Sequence, residues 1–148
     1  EAGVVLALVP EFKGAGINGV SMWYAGKPVI ALTLRWRWAD IFWFSFFHEA
    51  GHVLKHGRGS VFIESKADAG SEQELEADKF ASDFLIPPDE EKKWFPLIRQ
   101  SPAKAQLIRK VAARLGVCPG IIVGRLQHER IIPFNRLNTL RAKLAWQS

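Results

Sequence analysis

The sequence predicts an α+β fold: a small antiparallel sheet packed on a helix that carries His-Glu-x-x-His, followed by a mostly helical C-terminal part. Three observations lead there. Short apolar runs broken by Gly and Pro occupy residues 1–34, in lengths that suit strands. The most apolar helical stretch, "DIFWFSFFHEAGHVLKHG" at 40–57, holds histidines and a glutamate among its aromatic residues. From residue 71 onward, helix-length segments alternate with Gly and Pro stops.

Element by element, "GVVLALVP" reads as a buried strand stopped by Pro10, and "EFKGAGING" as a Gly-rich loop. "VSMWYAGKPVIALTL" reads as two strands joined at Ala25-Gly26-Lys27, an antiparallel hairpin. Asp40 is the expected N-cap of the next helix and Gly57 its stop, giving 40–57. The stretch 58–70 reads as loop or weak strand. A second helix spans 71–86 and is halted by Pro87-Pro88. The remainder, 89–148, is helical: about 89–100, then 102–115, then 119 to about 128, the last two separated by Gly116 and Pro119.

At 148 residues, 48% of them apolar, with six Trp and ten Phe, the chain fits a single domain, 1–148, with a real core. A single cysteine, Cys118, rules out an internal disulfide, and nothing points to an oxidising compartment. No apolar run approaches the roughly 20 residues of a membrane-spanning helix, so a cytoplasmic location is expected, with no membrane partner. The chain opens on Glu1 without an initiator Met or a signal peptide, which reads as a fragment of a longer chain. Its net charge of +5 is uneven. Residues 1–91 carry 8 Lys/Arg against 14 Asp/Glu, whereas residues 92–148 carry 12 against Glu129 alone. Such a basic tail can attract nucleic acid or an acidic partner, and it can equally be the solvated face of ordinary helices. Its apolar spacing (Leu107, Ile108, Val111, Ile122, Leu126) is that of core-facing helices.

The chemistry concentrates at 48–52. Burying titratable groups among aromatic side chains is costly unless partners satisfy them. His48 and His52 stand four residues apart, which at 3.6 residues per turn puts their imidazoles about 40° apart on one face. Both ring nitrogens can then reach one metal ion at roughly 2.0–2.1 Å, and zinc is the expected metal. Glu49, beside the first histidine, can lie over the open position and take a proton from water there. Gly51 lets another element pack close behind. His56 continues the series but falls in the last turn, where a histidine complements the helix C-terminus, so it is not counted as a ligand.

Zinc held by two histidines needs a third ligand. The helix "SEQELEADKFASDFLIPP" offers Glu72, Glu74 and Glu76. Its apolar stripe is Ala77, Phe80, Ala81, Phe84 and Leu85. At about 100° per residue, Glu74 falls roughly 55° from the stripe centre, Glu76 about 105° and Glu72 about 145°. Glu74 is the expected ligand. Asp78, one turn later, could accept a proton from a ligating histidine's other ring nitrogen. A structural reading competes: Ser71-Glu72-Gln73-Glu74 also matches a capping box, with Glu74 bonding back to the Ser71 amide.

The run "WFSFFHEAGHVLKH" followed by "ELEADKFASDFLIPP" resembles the ImmA/IrrE family of zinc-dependent metallopeptidase-like proteins, over most of the chain. The resemblance implies a gluzincin-like site in a zincin-type fold: His48, His52 and Glu74 as metal ligands and Glu49 as the catalytic residue. Asp78 falls at the position behind the ligands where the family often has Asn. Many relatives carry an N-terminal helix-turn-helix DNA-binding domain, in the manner of toxin–antitoxin and plasmid-maintenance regulators. The implied activity is endopeptidase cleavage of an intracellular protein such as a transcriptional repressor.

For such a protease, "PVIALTL" is the expected edge strand for an extended substrate. Tyr24, Arg125 and His128 are the candidates for a second oxyanion donor, His128 reading more readily as a surface histidine. A rival reading remains. "IRKVAARLGVCPGIIVGRLQHERI" has the order of a helix-turn-helix, so the chain could be a DNA-binding or protein-interaction module with a non-catalytic zinc site. Against it, Ile121, Ile122, Val123 and Leu126 stand where a recognition helix would show polar residues.

Overall fold

A computed structural model describes residues 3–10, 16–34, 37–57, 61–63 and 70–144. The fold is α+β, with helices α1 (Ala39–Lys55), α2 (Glu72–Leu85), α3 (Pro88–Gln100), α4 (Lys104–Leu115) and α5 (Pro119–His128). Its strands are β1 (Val5–Val9), β2 (Gly19–Tyr24), β3 (Lys27–Thr33) and β4 (Phe62–Ile63), in one sheet of order β1-β3-β2-β4. No described helix is long and apolar enough to cross a membrane. Two compact units emerge, Glu1–Trp36 with Phe42–Phe84, and Arg37–Ile41 with Leu85–Ser148.

In the first unit, β2 and β3 form the expected antiparallel hairpin, from Tyr24↔Lys27 at the turn to Gly19↔Leu32 at the far end. Ala25 and Gly26 turn the chain with φ of +47° and +77°. Both residues are left-handed, as a two-residue turn matching the strand twist requires, and Gly26 takes its share without strain. Thr33 closes the other end, its N–H donating to Asn18 O (2.9 Å) and its hydroxyl to Ile17 O (2.9 Å).

Three expectations for the sheet are corrected. First, it is mixed rather than antiparallel: β1 runs parallel to β3, with Val5↔Val29 through Val9↔Thr33 in register. The chain reverses between β1 and β2, but the tight hairpin places β3 between them, so β1 meets the strand running its own way. Second, β1 is an edge strand with Val5, Leu6 and Leu8 exposed, not a buried one. Third, β3 lies inside the sheet with both edges paired, so "PVIALTL" offers no free edge to a substrate. Strand periodicity is the same for parallel and antiparallel neighbours, so none of this is written in the alternation. Residues 11–15 of the expected Gly-rich loop, and 58–60 and 64–69 of the expected loop or weak strand, lie outside the described residues.

α1 and α2 pack closely in the same unit. A Cβ on Gly51 would come within 3.2 Å of Ala77 Cα and of the Phe80 ring, so the bare glycine is what permits the approach. Ala77 and Ala81 are fully buried, and Phe47 stacks on Phe84 at 4.2 Å between ring centroids. The burial of α1 inverts its composition. Ser45, His48, Glu49, Gly51 and His52 are buried, while Trp43 and Leu54 are exposed. This helix turns its polar stripe inward.

In the second unit, Ile98, Ile108, Val111, Ala112, Ile122, Val123 and Leu126 make the core. α4 ends as expected at Gly116 (φ +70°), where the Val117 N–H donates to Ala112 O at 3.0 Å. Asp40 is not the N-cap of α1. It is the helix's second residue and is buried, and its carboxylate accepts from the Arg141 guanidinium at 2.7 Å and 3.1 Å. Gly120 and Gly124 leave room for it: a Cβ on either would meet its oxygens, at 3.4 Å and 3.2 Å respectively. A short side chain expected to cap a helix is thus drawn into an ion pair spanning 101 positions of sequence.

Candidate metal centre

His48 and His52 project from successive turns of α1, and Glu74 from the first turn of α2. Their ligand atoms converge. His48 Nε2 lies 3.0 Å from His52 Nε2, Glu74 Oε2 lies 3.2 Å from the first, and Glu74 Oε1 lies 3.1 Å from the second. All three residues are buried and could hold a metal ion together. The Glu74 side chain faces the two histidines, as read for a ligand, and the cap at this helix start is made by Ser71 instead. The Ser71 hydroxyl accepts from the Glu74 N–H at 3.3 Å, capping α2, while the Glu74 carboxylate turns to the histidines.

The outer ring nitrogens decide what the inner ones can do. His48 Nδ1 lies 2.9 Å from Asp78 Oδ1, as expected for Asp78. A carboxylate only accepts, so Nδ1 carries the proton and the Nε2 lone pair points into the cluster. His52 Nδ1 lies 3.0 Å from His56 Nδ1, and His56 Nε2 lies 3.0 Å from Glu76 Oε2. By the same logic His56 donates to Glu76 and accepts from His52, leaving the His52 Nε2 lone pair facing inward too. Burial, with His48 and His56 close by, pushes the His52 pKa down to about 4, so the ring is neutral near pH 7. The hydrogen bond from His56 holds the Glu76 carboxyl below its ordinary range.

Two nitrogen lone pairs and a carboxylate therefore meet at one buried point. Such a set repels itself unless a cation sits between. Ligand atoms of a tetrahedral zinc ion, each roughly 2.0–2.1 Å from it, stand about 3.3 Å apart. The separations of 3.0–3.2 Å come close to that, and the nitrogen and oxygen donors are those zinc takes. The residues fit the metal.

Glu49 is fully buried, its side chain packed against the backbone of Gly19 on β2. A Cβ there would stand 2.7 Å from Glu49 Oε1 and 2.8 Å from its Cγ. Phe62 of β4 stacks flat on the His52 ring, 4.3 Å between centroids and 11° between planes. Tyr24, Arg125 and His128 are the candidate oxyanion donors. Tyr24 is exposed at the hairpin end of β2. Arg125 of the second unit pairs with Glu91 (3.3 Å) and Glu129 (3.1 Å), and His128 is exposed there, as a surface histidine would be. Sequence reasoning missed Gly19 and Phe62, which no local pattern marks. His56 is not among the converging ligands, as expected, but its ring meets His52 and Glu76 rather than the helix C-terminus, and the four-residue step from His52 was the signal for that.

A buried His-His-Glu cluster on two packed helices beside a small mixed sheet is the architecture of a metallopeptidase-like domain. The model of the IrrE N-terminal-like domain family, Peptidase_M78, matches residues 11–127, and the chain belongs to this family. No curated protein matches the chain.

Proposed function

We propose that the chain is a zinc-dependent endopeptidase domain. His48, His52 and Glu74 hold the metal, Glu49 is the catalytic residue, and the substrate is an intracellular protein such as a transcriptional repressor. One observation carries the reading: two histidine lone pairs and a carboxylate converge within 3.0–3.2 Å at a buried point. A bound zinc ion supplies Lewis acidity there, polarising a peptide carbonyl and lowering the pKa of water to roughly 7. Glu49 takes the proton from the attacking water and returns it to the leaving amine. Its burial keeps bulk water from competing for that proton.

For an extended substrate, the edge in place of β3 is β4, which pairs only with β2 among the described strands and whose Phe62 covers His52. A repressor substrate and a cytoplasmic setting follow from the family resemblance, as does a DNA-binding domain elsewhere in the full-length protein. The DNA-binding alternative gains nothing from α5, whose Ile121, Ile122, Val123 and Leu126 are buried.

Metal analysis of the purified protein tests the proposal. One equivalent of zinc is expected in the parent, falling to a small fraction in His48→Ala. A parent that takes up no zinc, or a His48→Ala variant that keeps it, would refute the assignment.

A further inference from the structure

The two histidines of the cluster are held from behind in different ways. His48 reaches a carboxylate directly, Asp78 on α2. His52 Nδ1 instead reaches a third histidine, His56, whose other ring nitrogen reaches a carboxylate, Glu76, also on α2. We propose that His56 and Glu76 are positioning residues of the metal centre, a two-step hydrogen-bonded relay holding the His52 ring with its Nε2 toward the metal. The proposal rests on the zinc reading above.

Geometry supports the relay at each link. Both contacts are 3.0 Å long, and they use both ring nitrogens of His56. None is left for the carbonyls at the end of α1, which is the service a histidine there would ordinarily perform. The side chain of His56 is 6% exposed, which shields its bond to His52 from water, while Glu76 at the outer end of the relay is half exposed. Its backbone N–H donates to His52 O at 3.0 Å, keeping the two residues on consecutive turns, and Gly57 (φ +74°) ends the helix just beyond. Phe62 completes the clamp, with ring centroids 4.3 Å from His52 and 5.3 Å from His56, so neither imidazole can swing away on that side.

Hydrogen-bond directions then run one way. Glu76 accepts from His56 Nε2–H, and His56 Nδ1 accepts from His52 Nδ1–H. The tautomer of His52 that can bind a metal is the one this chain selects, as a carboxylate does directly for His48.

Zinc affinity, measured by competition with a fluorescent chelator, tests the relay in a way a packing role would not satisfy. His56→Leu, which fills the space but accepts nothing, is expected to weaken zinc about 10- to 100-fold. His56→Gln can accept from His52 and donate to Glu76, so it should recover most of that loss. Glu76→Ala, one bond further out, should weaken zinc about threefold to tenfold. Equal affinities in His56→Leu and His56→Gln would overturn the proposal, since only bulk would then matter. Should His56→Leu fail to fold, Glu76→Ala decides, because Glu76 is half exposed; unchanged affinity there would overturn the relay. A parent that binds no zinc removes both readings, whereas a zinc-binding parent with unaffected variants removes the relay alone.

Discussion

Gly19 on β2 and Glu49 on α1 are in mutual contact: where a Cβ of residue 19 would stand, the Glu49 carboxylate already lies, 2.7 Å away. The sheet is thus shaped around the residue proposed to move protons. Gly19→Ala must displace either the carboxylate or the strand, and overpacking of this kind costs about 1–3 kcal/mol. The expected result is a zinc-loaded protein with peptide hydrolysis reduced at least tenfold. Adding Gly19→Ala to Glu49→Gln should then cost little further activity, because both changes act on the same group. Independent, additive losses would show that Gly19 acts elsewhere.

Glu49→Gln keeps shape and burial while removing the proton acceptor. General acid–base catalysis contributes about 10²- to 10⁴-fold, so hydrolysis should fall by that order with zinc stoichiometry unchanged. Loss of zinc in this variant would mean that Glu49 is a ligand.

Asp78 supports His48 through a single 2.9 Å hydrogen bond. Asp78→Ala should weaken zinc about 10- to 100-fold, and Asp78→Asn, which keeps an accepting oxygen, by clearly less. Chelator competition on both variants checks the order.

His52 sets a pH dependence on the metal-free fold. Its folded pKa of about 4 lies below the ordinary imidazole value of 6.5, so the unfolded chain binds the proton more readily. Above pH 6.5 neither state is protonated and the group has no effect. Between 6.5 and 4 the unfolded state takes up a proton that the folded state refuses, so stability declines as pH falls. Thermal melting of the apoprotein should show Tm dropping across that window, and His52→Gln should flatten the slope.

In the second unit, Asp40→Ala leaves the Arg141 guanidinium without its carboxylate in a largely buried place. Removing one partner of such a pair costs about 3 kcal/mol or more. Denaturant unfolding should register the loss as a lower midpoint.

The metal cluster was legible because its members obey local periodicities. Four residues on a helix bring His48 and His52 to one face whatever surrounds them, and the apolar stripe of α2 orients Glu74 before any partner is known. Gly51 and Asp78 follow from the same rules. The hairpin was equally local, its turn residues being adjacent in the chain. What lay beyond reach depended on distant segments meeting. The parallel edge β1, the interior place of β3 and the Asp40–Arg141 pair come from chain topology, on which side-chain alternation is silent. The burial of His48, Glu49 and His52 was expected of α1, whereas the exposure of Trp43 and Leu54 was not legible in its composition. A buried charge or imidazole is stable only where partners reach it. Those partners, Asp78 behind His48 and Glu76 through His56, stand on another helix some thirty and twenty residues further along the chain. Packing α2 against α1 is what brings them within hydrogen-bonding distance.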